Sequence, residues 1–373
     1  MTGRSGRPGR GERLAARTLE LVDVPSVSRD EAALLTRIRE VVPDSYHELL
    51  DDEDGVLFYA PHVRRRQAAF VVLAGHVDTV PISGNVPGRL DEDAIIGRGA
   101  CDMKGGLAVM LDVADALAEG EIKSDLDVGL MFFGREEIPI SDSALLPLFE
   151  RCPPARTPDL AIVMEPTDNR IEIGCLGNLT ARVLFLGRAA HSARPWLGSN
   201  AIHTAIRTLA PLADLPVRDV EIEGLVFREV LSVTSIEGGL AANVVPDRVE
   251  ASVNFRYAPT QTPAGAEARL RELLGPGDLE LEILGNAPPG PVVAGNPNVT
   301  RLRAAGDLTV GPKQAWTPVA EFAMAGLDAV NFGPGDPRYA HRSDERIETS
   351  ALVRSYEVLR AFLSGTDAEE ARS

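Results

Sequence analysis

The stretch Ala69-Phe70-Val71-Val72-Leu73-Ala74-Gly75-His76-Val77-Asp78 decides how the chain is read. Its apolar run suits a strand buried on both faces, as in a parallel sheet. It ends in a histidine and an aspartate, and open α/β sheets place their chemistry at the carboxyl ends of strands. The pattern recurs. Residues 126–133 form a second run that leads to Glu136-Glu137, and residues 160–164 a third that ends at Glu165. Residues 329–332 read as a later strand, with His341 in the loop beyond. Asp102, in Gly99-Ala100-Cys101-Asp102-Met103-Lys104-Gly105, lies just before a helix predicted over 107–117, where Leu107, Met110, Leu111, Ala114 and Leu117 fall at helical spacing. Further helices are predicted over 12–22 and 32–42. Strands alternating with helices indicate an α/β domain, its mainly parallel sheet covered by helices on both faces.

The middle of the chain has another order. A strand at 181–186, a helix at 200–212, strands at 231–236 and 248–257, a helix at 264–274 and a strand at 279–284 give β-α-β-β-α-β, the order of a ferredoxin-like α+β sandwich. The expected layout is a flexible tail at 1–11 and a catalytic domain in two parts, 12–177 and 288–373. An inserted domain at 178–287 interrupts it, with boundaries near Gly177 and in the Pro/Gly-rich stretch 286–295.

Composition narrows the function. Hydrophobic residues make up 44% and charged residues 25% of the 373, the range of globular domains. A net charge of −17 argues against nucleic acid or an anionic membrane as partner. No apolar run approaches the roughly 20 residues of a membrane span, and the Gly/Arg-rich start is followed by no apolar signal core. Cys101, Cys152 and Cys175 form no paired framework, which favours a reducing, cytoplasmic setting.

The acids and histidines at the strand ends suit metal. Imidazole and carboxylate are zinc ligands, and a dinuclear site needs roughly three protein ligands per ion with a position left for water. His76, Asp102, Glu137, Glu165 and His341 supply three each if Asp102 bridges. Asp78, two residues past His76, is the carboxylate expected to fix the imidazole tautomer. Glu136 is left over, placed to act as general base toward an activated water. His47, His62 and His203 lack such context and read as structural or surface residues.

These motifs resemble the M20 metallopeptidases, within them the group of succinyl-diaminopimelate desuccinylases and acetylornithine deacetylases. The matching pieces are Gly75-His76-Val77-Asp78-Thr79-Val80-Pro81, Gly97 through Gly106, Glu136-Glu137, Glu165-Pro166-Thr167, Arg188 through Ala193, Asn243-Val244-Val245-Pro246, Asn254-Phe255-Arg256 and Gly333-Pro334-Gly335. Glu165 through Asn169 and His191 through Gly198 look most like the desuccinylases of high-GC Gram-positive bacteria. The resemblance implies one zinc on His76, Glu165 and a bridging Asp102, and a second on Asp102, Glu137 and His341, with Co²⁺ as a substitute metal. It implies Glu136 as base, a homodimer formed through the inserted domain, and His191 reaching the partner's active site to stabilise an oxyanion. It marks Asn243 and Arg256 as substrate contacts. Alternation supports Arg256 on its own, since Val249, Ala251, Val253, Phe255 and Tyr257 take one strand face and Ser252, Asn254 and Arg256 the other. The activity implied is hydrolysis of N-succinyl-L,L-diaminopimelate in lysine and diaminopimelate biosynthesis. Deacylation of N-acetylornithine or N-acetyllysine, or another M20 aminoacylase or carboxypeptidase activity, stands as the alternative for such a small N-acyl amino acid substrate. A non-catalytic binding protein on the same fold is disfavoured because no ligand and no base is missing.

Two departures bear on the substrate. Arg135 and Ile138-Pro139 flank the Glu-Glu pair where the family often has Asp and Gly, placing a positive charge close to the base. Thr317-Pro318-Val319-Ala320-Glu321-Phe322 replaces a Thr-Ser-Asp-Gly-like stretch.

Overall fold

A computed structural model describes residues 8–52 and 55–365. The chain divides into two compact units, one within Met1–Ile173, Val293–Gly311 and Glu321–Ser373, the other Gly174–Val292 with Pro312–Ala320. The second unit is a few residues wider at each end than the expected 178–287, and it takes up a segment from the expected second catalytic part. Hydrogen bonds explain the difference. The main chains of Cys175 and Gly290 exchange hydrogen bonds of 3.2 and 3.1 Å, and the Trp316 indole N–H donates to the Pro288 carbonyl at 3.1 Å.

The larger unit is built on a sheet whose four central strands run in parallel, in the order Asp127–Phe133, Phe70–His76, Leu160–Val163, Ala329–Asn331. All seven residues of Phe70–His76, and all seven of Asp127–Phe133, are buried, so both faces are covered. Antiparallel strands flank these four. Val56–Pro61 runs antiparallel to Asp127–Phe133, Tyr46–Asp52 antiparallel to Val56–Pro61, and Ile171–Cys175 antiparallel to Ala329–Asn331. The sheet is mixed, with its parallel strands at the centre, and the unit is of the α/β class expected. The first two of these flanking strands are near neighbours in sequence, and antiparallel pairing needs no crossover helix.

Register positions the site. His76 lies opposite Phe133, Ala74 opposite Val163, and Val163 opposite Asn331. Four strands therefore end within two residues of one another, and the segments that carry His76, Glu136-Glu137, Glu165 and His341 leave the sheet from the same edge. Asp102 enters from the segment before helix Gly105–Ala118, whose first ten residues are all buried. Gly99 makes that entry feasible: it has φ +80°, and a Cβ there would lie 2.8 Å from the Thr79 side chain. Helix Arg10–Val22 begins earlier than expected, so residues 10 and 11 are helical and not tail; residues 1–7 of that tail lie outside the described residues. Arg10 and Arg17 tie this helix to Gly105–Ala118 through Asp112 at 2.6 Å and Asp115 at 2.8 Å.

The smaller unit has an antiparallel sheet in the order Arg218–Ile222, Leu225–Gly238, Arg248–Tyr257, Gly177–Leu186, Leu279–Ala287. Without the first strand this is the ferredoxin-like arrangement; Arg218–Ile222 is an added edge strand that the sequence reading missed. Helices Ala201–Ala213 and Pro263–Leu274 bury Ala205, Leu209, Ala266 and Leu270 against alternate residues of the central strands, among them Val183, Phe185, Val253 and Phe255. No described helix is long and apolar enough to cross a membrane.

Candidate metal centre

The aligned strand ends bring two trios of donors together in the larger unit. His76, Asp102 and Glu165 form one, Asp102, Glu137 and His341 the other, with the donor atoms of each trio within 4.8 Å of one another. Asp102 is common to both and turns one oxygen each way: Oδ1 lies 3.0 Å from His76 Nε2 and Oδ2 3.3 Å from His341 Nε2. His76 Nε2 is 3.8 Å from Glu165 Oε1, and His341 Nε2 is 2.9 Å from Glu137 Oε1. A third grouping, His76 with Glu136 and Glu137, also falls within the same reach.

The electrostatics show a site short of positive charge. Burial opposes charging His76, yet Asp102 and Asp78 outweigh it and hold its pKa well above the usual value. Asp102 and Glu137 raise His341 to about 10. Burial, with Glu165, Glu137 and Asp102 nearby, pushes Glu136 well above the usual carboxyl range. Burial also raises Glu137. Burial would raise Asp102 as well, but His341 and His76 together overcome it and lower the pKa. The acids here outnumber the imidazoles and favour added positive charge, and hard carboxylate oxygens with imidazole nitrogens are the donors that divalent cations accept. The residues present fit a pair of metal ions.

Asp78 works differently from expectation. Its main-chain carbonyl, not its carboxylate, contacts His76 Nδ1, at 3.0 Å; the nearer carboxylate oxygen is 3.6 Å away. The carboxylate instead accepts the main-chain N–H groups of Glu136 at 3.0 Å and Glu137 at 3.1 Å, and the Ser28 hydroxyl at 2.7 Å. So the Asp78 main chain is the nearer partner of the imidazole, and the side chain also fastens the Glu136-Glu137 segment. Ser28 went unnoticed in the sequence, as did Glu345, whose carboxylate accepts the N–H groups of Cys101 and Asp102 at 3.2 and 3.1 Å.

Arg135, expected beside the base, is not among the charges that weigh most on Glu136; its charge acts on Glu31, which burial raises and Arg135 opposes. The replaced segment 317–322 is split, with Thr317 to Ala320 in the smaller unit and Glu321 and Phe322 in the larger. Glu321 is buried there, accepts a short hydrogen bond from the Ser143 hydroxyl, and is pushed by burial up to about 7.

His191, Asn243 and Arg256 belong to the smaller unit. His191 is exposed, on the short strand Ala190–His191 paired with Val244–Val245, and its Nδ1 accepts the Ala193 N–H at 3.1 Å. The Asn243 carbonyl accepts from Ser192 at 2.9 Å, which joins the two motifs. The strand Arg248–Tyr257 buries every second residue as expected. Arg256 stands on its other face, with Nε donating to Asn254 Oδ1 at 2.9 Å.

An α/β domain with a carboxylate shared by two imidazole-containing trios defines a metal-dependent hydrolase of the paired-ion kind. The chain belongs to the peptidase family M20/M25/M40, whose model matches residues 72–365. It is 37% identical over 350 residues to a Mycobacterium tuberculosis protein provisionally named succinyl-diaminopimelate desuccinylase, covering 93% of this chain and 97% of that one. It is 35% identical over 360 residues to the succinyl-diaminopimelate desuccinylase of Corynebacterium glutamicum, covering 93% and 95%. The crystal structure of the aminopeptidase PepT from Bacillus cereus shares the fold with a TM-score of 0.78 at 20% identity, over 95% of this chain and 98% of that one.

Proposed function

We propose that this chain hydrolyses the amide of N-succinyl-L,L-diaminopimelate, giving L,L-diaminopimelate and succinate, with two zinc ions in the centre described above. The observation that carries the reading is the coincidence of a shared-carboxylate donor set with relatives of that name matched along nearly the whole chain. His76, Asp102 and Glu165 would hold one ion, and Asp102, Glu137 and His341 the other. Bound there, two divalent ions would polarise the scissile carbonyl and bring the pKa of a water towards about 7.

The remaining work falls to side chains. Glu136 belongs to neither trio that shares Asp102, and a carboxylate of raised basicity beside an activated water suits a general base. It takes the water's proton and delivers it to the departing amine nitrogen. Asp78 holds the Glu136 main chain in place for both transfers. His191 accepts at Nδ1, which leaves Nε2 to donate toward an oxyanion. Arg256, with Asn243, is assigned to the substrate, whose carboxylates suit a guanidinium.

We place the protein in the cytoplasm as a homodimer. Supporting the dimer, residues 230–238 of strand Leu225–Gly238 pair on one side only among the described residues, and Ile236 and Leu240 beside that edge are 53% and 89% exposed.

Side-by-side kcat/KM values for N-succinyl-L,L-diaminopimelate and N-acetylornithine on zinc-loaded protein test the assignment. A clear preference for the succinyl compound is expected. Preference for the acetyl compound would leave the chemistry standing and move the chain to the deacetylases.

A further inference from the structure

A buried ion pair joins the loops that carry the proposed ligands. Arg98 is 3% exposed and Glu345 1%, with 2.7 Å between guanidinium and carboxylate. Neither side chain belongs to a donor trio. Glu345 Oε1 receives the N–H groups of Cys101 and Asp102, while Oε2 receives Arg98. The guanidinium spreads further. It donates to the carbonyl of Arg342, next to His341, at 3.3 Å, and to the carbonyl of Pro81 at 3.2 Å and the hydroxyl of Ser83 at 3.3 Å, on the segment that follows His76 and Asp78. The Glu345 carbonyl accepts from Gly97 at 2.9 Å, so the glutamate is fixed at both ends.

Stability alone is a poor reason for this pair. A buried ion pair costs so much desolvation that an apolar pair of similar volume is often as stabilising. An apolar pair, however, could not receive the two N–H groups. Asp102 has extended, non-helical dihedrals (φ −123°, ψ 94°) at the entrance to a helix. There its own N–H and that of Cys101 find their acceptor in Glu345, and an unmatched buried N–H is costly.

We infer that the Arg98–Glu345 pair is a positioning device: it sets the Asp102 carboxylate in the orientation that serves both trios and locks it to the loop bearing His341. This rests on the two-ion reading above. Glu345 itself fixes the Asp102 segment to the loop bearing His341, and the trio of Asp102, Glu137 and His341 draws on both; the trio of His76, Asp102 and Glu165 draws on only the first of these and otherwise meets the pair through the Arg98 contacts at Pro81 and Ser83, five and seven residues past His76. Loss of the pair should therefore fall unequally on the two ions.

Calorimetric titration of metal-stripped full-length protein with Zn²⁺, together with thermal melting, tests this. Parent protein binding two ions per chain establishes the underlying reading; fewer than two would sink that reading and this inference with it. Given two in the parent, Glu345→Gln should keep one ion close to parental affinity and weaken the other by about 10- to 100-fold. Turnover should recover as zinc is raised. Two ions at parental affinity, or equal weakening of both alongside a lowered melting temperature, would reduce the pair to an ordinary structural one and overturn the inference. If Glu345→Gln does not fold, Arg98→Gln decides by the same measure. It removes the charge opposite Glu345 and so breaks the pair. Selective weakening of one ion supports the inference, and unchanged or uniform binding overturns it.

Discussion

At the scale of single residues, the centre separates groups that hold cations from groups that move protons. Glu136 lies beside the donors yet outside both trios that share Asp102. Glu136→Ala should retain two zinc ions by elemental analysis and lose about 10²- to 10⁴-fold in kcat; undiminished turnover would remove Glu136 as the base. A second residue gives a pH signature. Glu321 is raised by burial from 4.5 to about 7, so the folded chain holds a proton there that the unfolded chain releases. Its contribution is full below pH 4.5 and is lost as pH rises through about 7. Glu321→Gln should therefore melt higher than the parent at pH 8 and nearly with it at pH 4.5. An equal gap at both values would contradict a buried, titrating carboxyl. Residue by residue, legibility was uneven. His76, Glu137 and Glu165 stand at or just after apolar runs, and Asp102 heads a patterned helix, so local sequence exposes them. His341 lies among charged residues well past its apolar run, so local pattern marks it more weakly than the other ligands. Ser28 and Glu345 act on groups 50 and 243 positions away, and no local pattern records a contact at that range.

At the scale of elements, the segment that follows helix Arg10–Val22 serves the site as a strap. Ser26 Oγ donates to the Val77 carbonyl at 2.7 Å, the Thr79 N–H to Ser26 at 2.9 Å, and Ser28 Oγ to the Asp78 carboxylate at 2.7 Å. Lys104 closes the strap from the other side, with Nζ donating to the Val24 carbonyl at 2.8 Å. Ser28→Ala removes a hydrogen bond to a charged group, worth about 1.5–3 kcal/mol. Because Asp78 holds the Glu136 and Glu137 amides, the loss should appear as a fall in kcat of about tenfold or more, with Ser28→Thr restoring most of it. Parental kcat in Ser28→Ala would show that Asp78 needs no such support. The four parallel strands were legible because burial on both faces leaves uninterrupted apolar runs. Tyr46–Asp52 was not, since its strand carries His47, Glu48, Asp51 and Asp52 among its seven residues. Likewise Arg218–Ile222 alternates charge with single apolar residues and reads as loop.

For the whole molecule, charge governs. A chain of net charge −17 gathers four buried or half-buried carboxylates at Asp102, Glu136, Glu137 and Glu165, two more than the neighbouring His76 and His341 can neutralise. Ions that bind only the folded chain stabilise it, by about 2.7 kcal/mol for each site at a hundred times its Kd. Chelation should therefore lower the melting temperature as well as abolish turnover, and zinc should restore both. A melting temperature indifferent to chelator would speak against resident ions. The unpaired edge at 230–238 leads to a second expectation. Sedimentation should give twice the 39.9 kDa chain mass, and Leu240→Asp with Ile236→Asp should shift it toward the monomer. A parent that sediments as a monomer would refute the dimer. The central claim is the shared carboxylate, and anomalous diffraction from zinc-loaded crystals addresses it most directly. Two peaks per chain are expected, one on the His76–Glu165 side of Asp102 and one on the Glu137–His341 side. A single peak, or a pair that leaves Asp102 outside both coordination shells, would contradict it.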